Sequence, residues 1–400
     1  MRRAAASRLA AAVRRAAALG SLALLAACPS TPGLQPTELK PIEEPRETRL
    51  LWLQTLRELY PYSDEFLASM PIADAARFVF FPVVVGDSVY AAWRPGTVLR
   101  LNAANGRERW RVQADTQLSG GVGADEKTVV VASEKGEVIA FNAADGAVRW
   151  RARVSSEVLA APAVGFGLVL VRSIDNRIFA FGADDGKRRW VYQRAPASLI
   201  LRVPAGVAIL GDTGFAGFSG GKLVAISLAN GGQRWEATVS VPKGSTELER
   251  LADVVGTPAV QGREVCAAAY QGRVGCFEAS SGRQLWAREL SSASGVALDS
   301  RFAFVSDDKG AVQALERSNG RSIWKQDKLL YRKTTLPLAE ANTIVVGDLE
   351  GFVHFLARDS GAFVARFPGR GGPVRVAPVN LPGSALLVQS EDGAIYALGL

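Results

Sequence analysis

The sequence predicts an all-β fold, an eight-bladed β-propeller of four-stranded antiparallel blades whose last blade is closed by an N-terminal strand. Three observations carry that expectation. An apolar strand, turn and second strand recur with a period near forty residues. A glycine marks the turn of nearly every unit. A tryptophan stands four residues after a second glycine in six of them.

The unit is complete in VVVASEKGEVIAFNAADGAVRW, which ends at Trp150. Its turn glycine, Gly136, recurs as Gly96, Gly221, Gly272, Gly310, Gly351 and Gly393, with Asn176 in the remaining place. Three-residue hairpin loops put their third residue in the left-handed region, where glycine sits at no steric cost and asparagine is the next best tolerated. Eight such turns predict eight blades. The tryptophans are Trp110, Trp150, Trp190, Trp235, Trp286 and Trp324, each following Gly106, Gly146, Gly186, Gly231, Gly282 or Gly320. They are expected in the core, where each would remove ~150–250 Å² from water, an upper bound of ~4–6 kcal/mol. The seventh unit has Gly361 but carries Ala365 where the tryptophan belongs.

The eighth unit stops after its third strand, GAIYALGL. An open ring would expose an aggregation-prone edge. TRLLWLQTL, residues 48–56, supplies the missing strand, with Trp52 in the tryptophan place. The organisation expected is therefore a signal peptide over 1–27, a tether over 28–47 and a propeller over 48–400.

The first 28 residues carry early arginines, an apolar run too short to span a bilayer and then Cys28, the zones of a secretory signal. LAAC, ending at Cys28, resembles the lipobox of bacterial lipoproteins, which implies acylation of Cys28 and stable anchoring to a membrane. Pro29 follows where an Asp would favour inner-membrane retention, so the periplasmic face of the outer membrane is the expected location. Residues 29–47 are Pro-rich, polar and free of aromatics, as in an extended tether, with an ordered arm lying on the domain as the alternative reading. Five of the eight net positive charges are Arg2, Arg3, Arg8, Arg14 and Arg15, ahead of Cys28. What remains has no basic block, which argues against nucleic acid as a partner.

No catalytic residue and no metal ligand set emerges. The single His354 lies in the alternating strand EGFVHFLA, without a Ser/Asp pair to make a triad. The three cysteines lack metal spacing, and GFSGGKL lacks Walker spacing and fills the hairpin of the fourth unit. No cofactor is expected.

One stretch departs from the strand-and-turn pattern: VPKGSTELERLADVVGTPAV, residues 241–260, is helix-capable and charge-rich. The tryptophan spacings are 40, 40, 45, 51 and 38, and the two long intervals are consecutive. In a propeller the connections between blades emerge on one face with the central hairpins. The insertion and ASLILR (197–202) occupy two such connections, one blade apart. Leu199, Leu201 and Arg202 should thus adjoin Glu247, Arg250 and Asp253, an apolar pair beside opposite charges, as on a protein-docking patch. Leucines packed against their own rim are the alternative reading of the residues.

The Gly-x-x-x-Trp repeat resembles the quinoprotein, PQQ-type propeller repeat. GSTELERLADV, ASLILR and the lipobox extend the likeness to the BamB family of propeller lipoproteins over nearly the whole chain from Cys28. That resemblance implies a non-enzymatic scaffold of the outer-membrane β-barrel assembly (BAM) complex. It also implies docking of the patch on periplasmic POTRA domains of BamA, association through BamA with the other BAM lipoproteins, and a monomeric state within the complex. Unfolded outer-membrane protein clients could add strands to its rim. One acidic contact of the family is Val255 here. The rival reading, a PQQ-dependent dehydrogenase, needs a carboxylate base and hard oxygen ligands for a divalent cation.

In EVCAAAYQGRVGCF, a loop of Tyr270, Gln271 and Gly272 would set Cys266 directly opposite Cys276. A disulfide between them is the expectation, and two small buried thiols side by side the alternative. A two-residue turn would instead pair position 266 with 277.

Overall fold

The second and third strands of a blade are apolar on both faces because each is packed between two neighbouring blades. A computed structural model of the chain describes residues 34–56, 79–195 and 199–400. In strand Thr128–Ser133 every residue is buried. Val129 and Val131 point into the core shared with the preceding blade, and Val130 and Ala132 into the core shared with the next. Period-2 alternation therefore survives in direction but not in polarity. The outer strand of the same blade, Val148–Arg153, has one face to solvent and reads VRWRAR, with only Trp150 fully inside.

Eight four-stranded antiparallel sheets result. They are blade 1 (83–113), blade 2 (118–153), blade 3 (163–193), blade 4 (207–238), blade 5 (254–289), blade 6 (297–326), blade 7 (338–367) and blade 8. Blade 8 contains Val379–Leu381, Ala385–Gln389 and Ala394–Gly399, with Arg49–Thr55 as its outer strand. The closing strand pairs antiparallel with Ala394–Gly399, Trp52 opposite Ala397, and Leu56 N–H donates to Gly393 O at 2.7 Å. The chain is thus the expected propeller, closed by its N-terminal strand.

Each blade-to-blade seam has its own hydrophobic core, and all but the one between blades 7 and 8 share a recurring clasp. The indole N–H of Trp110 donates across the seam to Ala143 O at 3.0 Å, and that of Trp150 to Ala183 O at 2.9 Å. Trp52 does the same to Ala103 O at 3.1 Å. The second glycine of the repeat belongs to this clasp. A Cβ on Gly106 would stand 2.6 Å from the Trp52 ring, and φ there is +66°, so steric room and backbone conformation both demand glycine. Ala365 has the same explanation. In blade 8 the third and fourth strands come from opposite ends of the ring, so no Asx-Gly turn joins them to receive an indole from blade 7. Phe367 and Tyr396, with ring centroids 5.9 Å apart, fill that seam instead.

Two expectations need correction. Gly272 is not the left-handed residue of its hairpin; Gln271 takes that conformation, with φ +48°. Glycine is still required at 272, because a Cβ there would meet Ser240 Oγ at 2.5 Å. The tether, expected over 28–47, is bound to the propeller from Thr37 onward. Thr37 N–H and Oγ1 donate to Leu330 O, Arg332 Nη1 donates to Thr37 O and Arg366 Nη1 to Lys40 O, all at 3.0 Å. Arg46 N–H donates to Val364 O at 2.9 Å, and Leu39 packs on the seam between blades 6 and 7. Arginine side chains thus satisfy carbonyls of a segment that has no sheet of its own. The signal peptide, Cys28 and residues 29–33 lie outside the described residues.

Candidate docking surface

Propeller topology puts the interblade connections and the central hairpins on one face, and backbone bonds tie them together. Val154 N–H donates to Gly136 O and Val239 N–H to Gly221 O, both at 2.8 Å, and Leu290 N–H to Gly272 O at 3.2 Å. The 239–253 connection, between blades 4 and 5, is the longest fully described departure from this rim. Its charged run is a single capped turn, not a helix. Glu249 Oε2 accepts from Ser245 N–H at 2.8 Å and Thr246 N–H at 3.1 Å, while Thr246 Oγ1 accepts from Glu249 N–H at 3.2 Å. This reciprocal pairing is a capping box. It holds the Glu249 carboxyl below its ordinary range, the backbone N–H groups being the main cause.

The structure brings the two connections together through Asp253. Its Oδ2 accepts from Leu201 N–H at 2.8 Å and its Oδ1 from Gly220 N–H at 3.2 Å. Asp253 is only 6% exposed. Sequence reasoning placed it on the contact surface; it lies beneath, joining the 199–202 segment to the blade 4 hairpin. Arg202 is exposed and holds Glu157, from the connection between blades 2 and 3, through both Nε at 3.0 Å and Nη2. Three successive connections are thereby linked.

What the surface presents is apolar at its high points. Leu199 is 42% exposed, Leu201 is half-buried, and Glu247 and Arg250 are exposed. Two further apolar residues were missed in the sequence: Val241 at 62% and Leu248 at 65% exposure. Leu248 sits inside TELER, where the charges around it were the available signal of a solvent-exposed turn. Val255, where the resemblance implies an acidic contact, is 2% exposed and pairs with Ala268 in blade 5, so its side chain belongs to the core.

Elsewhere, His354 is wholly buried in blade 7. Its Nδ1 accepts from Arg366 Nε at 3.3 Å, and because arginine can only donate, the ring proton sits on Nε2 and is donated to Asp348 Oδ2 at 2.8 Å. Arg332 Nε also donates to that oxygen at 2.6 Å. Burial lowers the His354 pKa against the opposing pull of Asp348. Cys266 and Cys276 are opposed across blade 5, Cα atoms 4.0 Å apart and the sulfurs in bonding contact.

Eight blades built on one Gly-x-x-x-Trp repeat, with two coupled, elaborated connections on one face, define a PQQ-like repeat propeller. The chain belongs to the BamB family of outer membrane protein assembly factors. The family model described as outer membrane protein assembly factor BamB matches residues 94–326. The BamB of Burkholderia pseudomallei is 40% identical over 326 residues, 81% of this chain and 85% of that one. The crystal structure of BamB from Moraxella catarrhalis superposes with a TM-score of 0.75 at 27% identity, covering 80% of this chain and 96% of that one. The quinohemoprotein alcohol dehydrogenase of Comamonas testosteroni has a TM-score of 0.63 at 12% identity, over 88% of this chain and 76% of its own, a likeness of fold alone.

Proposed function

We propose that this chain is a lipid-anchored periplasmic scaffold of the outer-membrane β-barrel assembly machinery. Its 199–202 and 241–253 connections dock on a periplasmic POTRA domain of BamA, and it assists insertion of outer-membrane proteins without catalysing a reaction. Family membership supports the assembly role. The observation that supports the docking reading is the Asp253 tie, which joins the segment of Leu199 and Leu201 to the connection that carries the exposed Leu248. Preorganisation of this kind lowers the ordering cost of association. The test is binding of the purified full-length mature chain to purified POTRA domains. A Leu199→Ala, Leu201→Ala double variant that binds as well as the wild type, with an unchanged melting temperature, refutes the placement of the patch.

A further inference from the structure

Below the patch lies a cation without an anion. A cavity of about 40 Å³ opens between blades 3 and 4, roughly three times what one water needs. Ile200, Leu201 and Val203 form part of its wall, and Arg172, Asn176 and Ser219 are its polar lining together with Asp253 and Ser173. Arg172 ends strand Leu168–Ser173 just before its last residue, so its guanidinium reaches the face that carries the connections. It lies over the Phe218 ring, 4.8 Å from the centroid. Among the described residues its one hydrogen bond runs from Nη1 to Ala205 O, at 3.3 Å. A guanidinium has five N–H donors.

The carboxylates near it are already engaged. Both oxygens of Asp253 accept backbone N–H bonds, Glu157 holds Arg202, and Asp175 holds Ser155, Ser173 and Arg177. Among the described residues no carboxylate lies within ion-pair distance of Arg172. Burial lowers its pKa to about 10, opposed by the charge of Asp253, so it remains cationic at neutral pH. A half-buried cation without an ion-pair partner among the described residues is costly to the isolated protein, and a carboxylate arriving from outside recovers that cost. The cavity is too small for an aromatic ring and has room for a carboxylate group. Asn176 Nδ2 donates to Ser219 Oγ at 3.2 Å, which leaves the Ser219 hydroxyl proton available to the same ligand.

We infer that this cavity is a carboxylate subsite, into which an aspartate or glutamate side chain of the docking partner inserts to pair with Arg172. The inference rests on the docking reading for its partner but not for its chemistry, and two measurements keep them separate. In the first, the full mature chain is titrated at constant ionic strength with N-acetyl-aspartate, or with N-acetyl-asparagine amide as the neutral control, following the arginine Nε–H resonances by NMR. The expected result is a saturable shift of one resonance, absent from Arg172→Lys, with the carboxylate only. No such shift overturns the inference.

In the second, POTRA-domain affinity is measured for Arg172→Gln and Arg172→Lys variants whose near-UV circular dichroism matches the wild type. Truncating one side of a buried charge pair should weaken binding at least ~10-fold. If the Leu199→Ala, Leu201→Ala pair loses affinity while both Arg172 variants keep it, the subsite is refuted and the docking reading stands. If none of the variants weakens binding, the docking reading falls, and the titration alone decides whether Arg172 takes a carboxylate.

Discussion

Asp253 and His354 both place an ionisable side chain in the interior, and they respond to change in different ways. Asp253 bonds two backbone N–H groups that have no other partner. Asp253→Ala would leave two part-buried donors without their acceptor, at a total cost of about 1–3 kcal/mol. The expected outcome is a lower urea midpoint and weaker POTRA binding although the side chain touches no partner. Equal midpoints for variant and wild type would contradict the tie. His354 has a folded-state pKa depressed by burial below its ordinary value of 6.5. The unfolded chain therefore takes up its proton first, and stability present above about pH 6.5 is lost as pH falls below it. His354→Gln should flatten the dependence of melting temperature on pH between about 6.5 and 5. Identical slopes would show that His354 does not titrate differentially. Asp253 was visible in the sequence as a charge, but its role was not, since backbone N–H partners carry no residue signature.

At the scale of the element, the clasp explains why so much of the fold was legible. A tryptophan and a close-approaching glycine recur because one geometric problem, sealing a seam between two sheets, is solved at one blade pair after another. The arm at 37–46 was only the second of two readings for the opposite reason: its partners, Arg332 and Arg366, are remote in sequence, and its own composition is that of a linker. The clasp can be tested with a matched pair of alanine substitutions. Gly361 has φ +69°, and a Cβ there would stand 2.5 Å from the Trp324 ring; Gly383 has φ +80° with nothing within 4 Å. Gly361→Ala should cost roughly 2–5 kcal/mol from strain plus clash, Gly383→Ala only about 1 from the backbone. Denaturant midpoints that fall equally would refute the packing role. Thiol titration of the denatured, unreduced protein tests blade 5: for the pair Cys266 and Cys276, no free thiols rising to two on reduction is the expected result.

For the whole molecule, the ring is the scaffold and the connections are its working surface. Arg202→Glu would bring a carboxylate against Glu157 and undo the link between three connections. A loss of POTRA affinity of ~2 kcal/mol or more with the fold retained is expected, read by calorimetry. Deleting residues 48–56 should lower the melting temperature far more than deleting 29–36, since only the former removes a strand of blade 8. Cys28→Ala should release the protein from the membrane into the soluble periplasmic fraction; an unlipidated wild type would refute the anchor.

Blade 8 also sets an order of events. Blades 1 to 7 each draw all four strands from contiguous sequence, and their contacts are local. The closing pair joins Arg49 to Gly399. Loop-closure entropy is largest for that pairing, and nothing short of nearly the whole chain can satisfy it. On that ground the first strand lacks its sheet partner until the last has formed. Pulsed hydrogen exchange during refolding should therefore find the amides of 49–55 protected last, making the pairing of the two chain ends the slow step of folding.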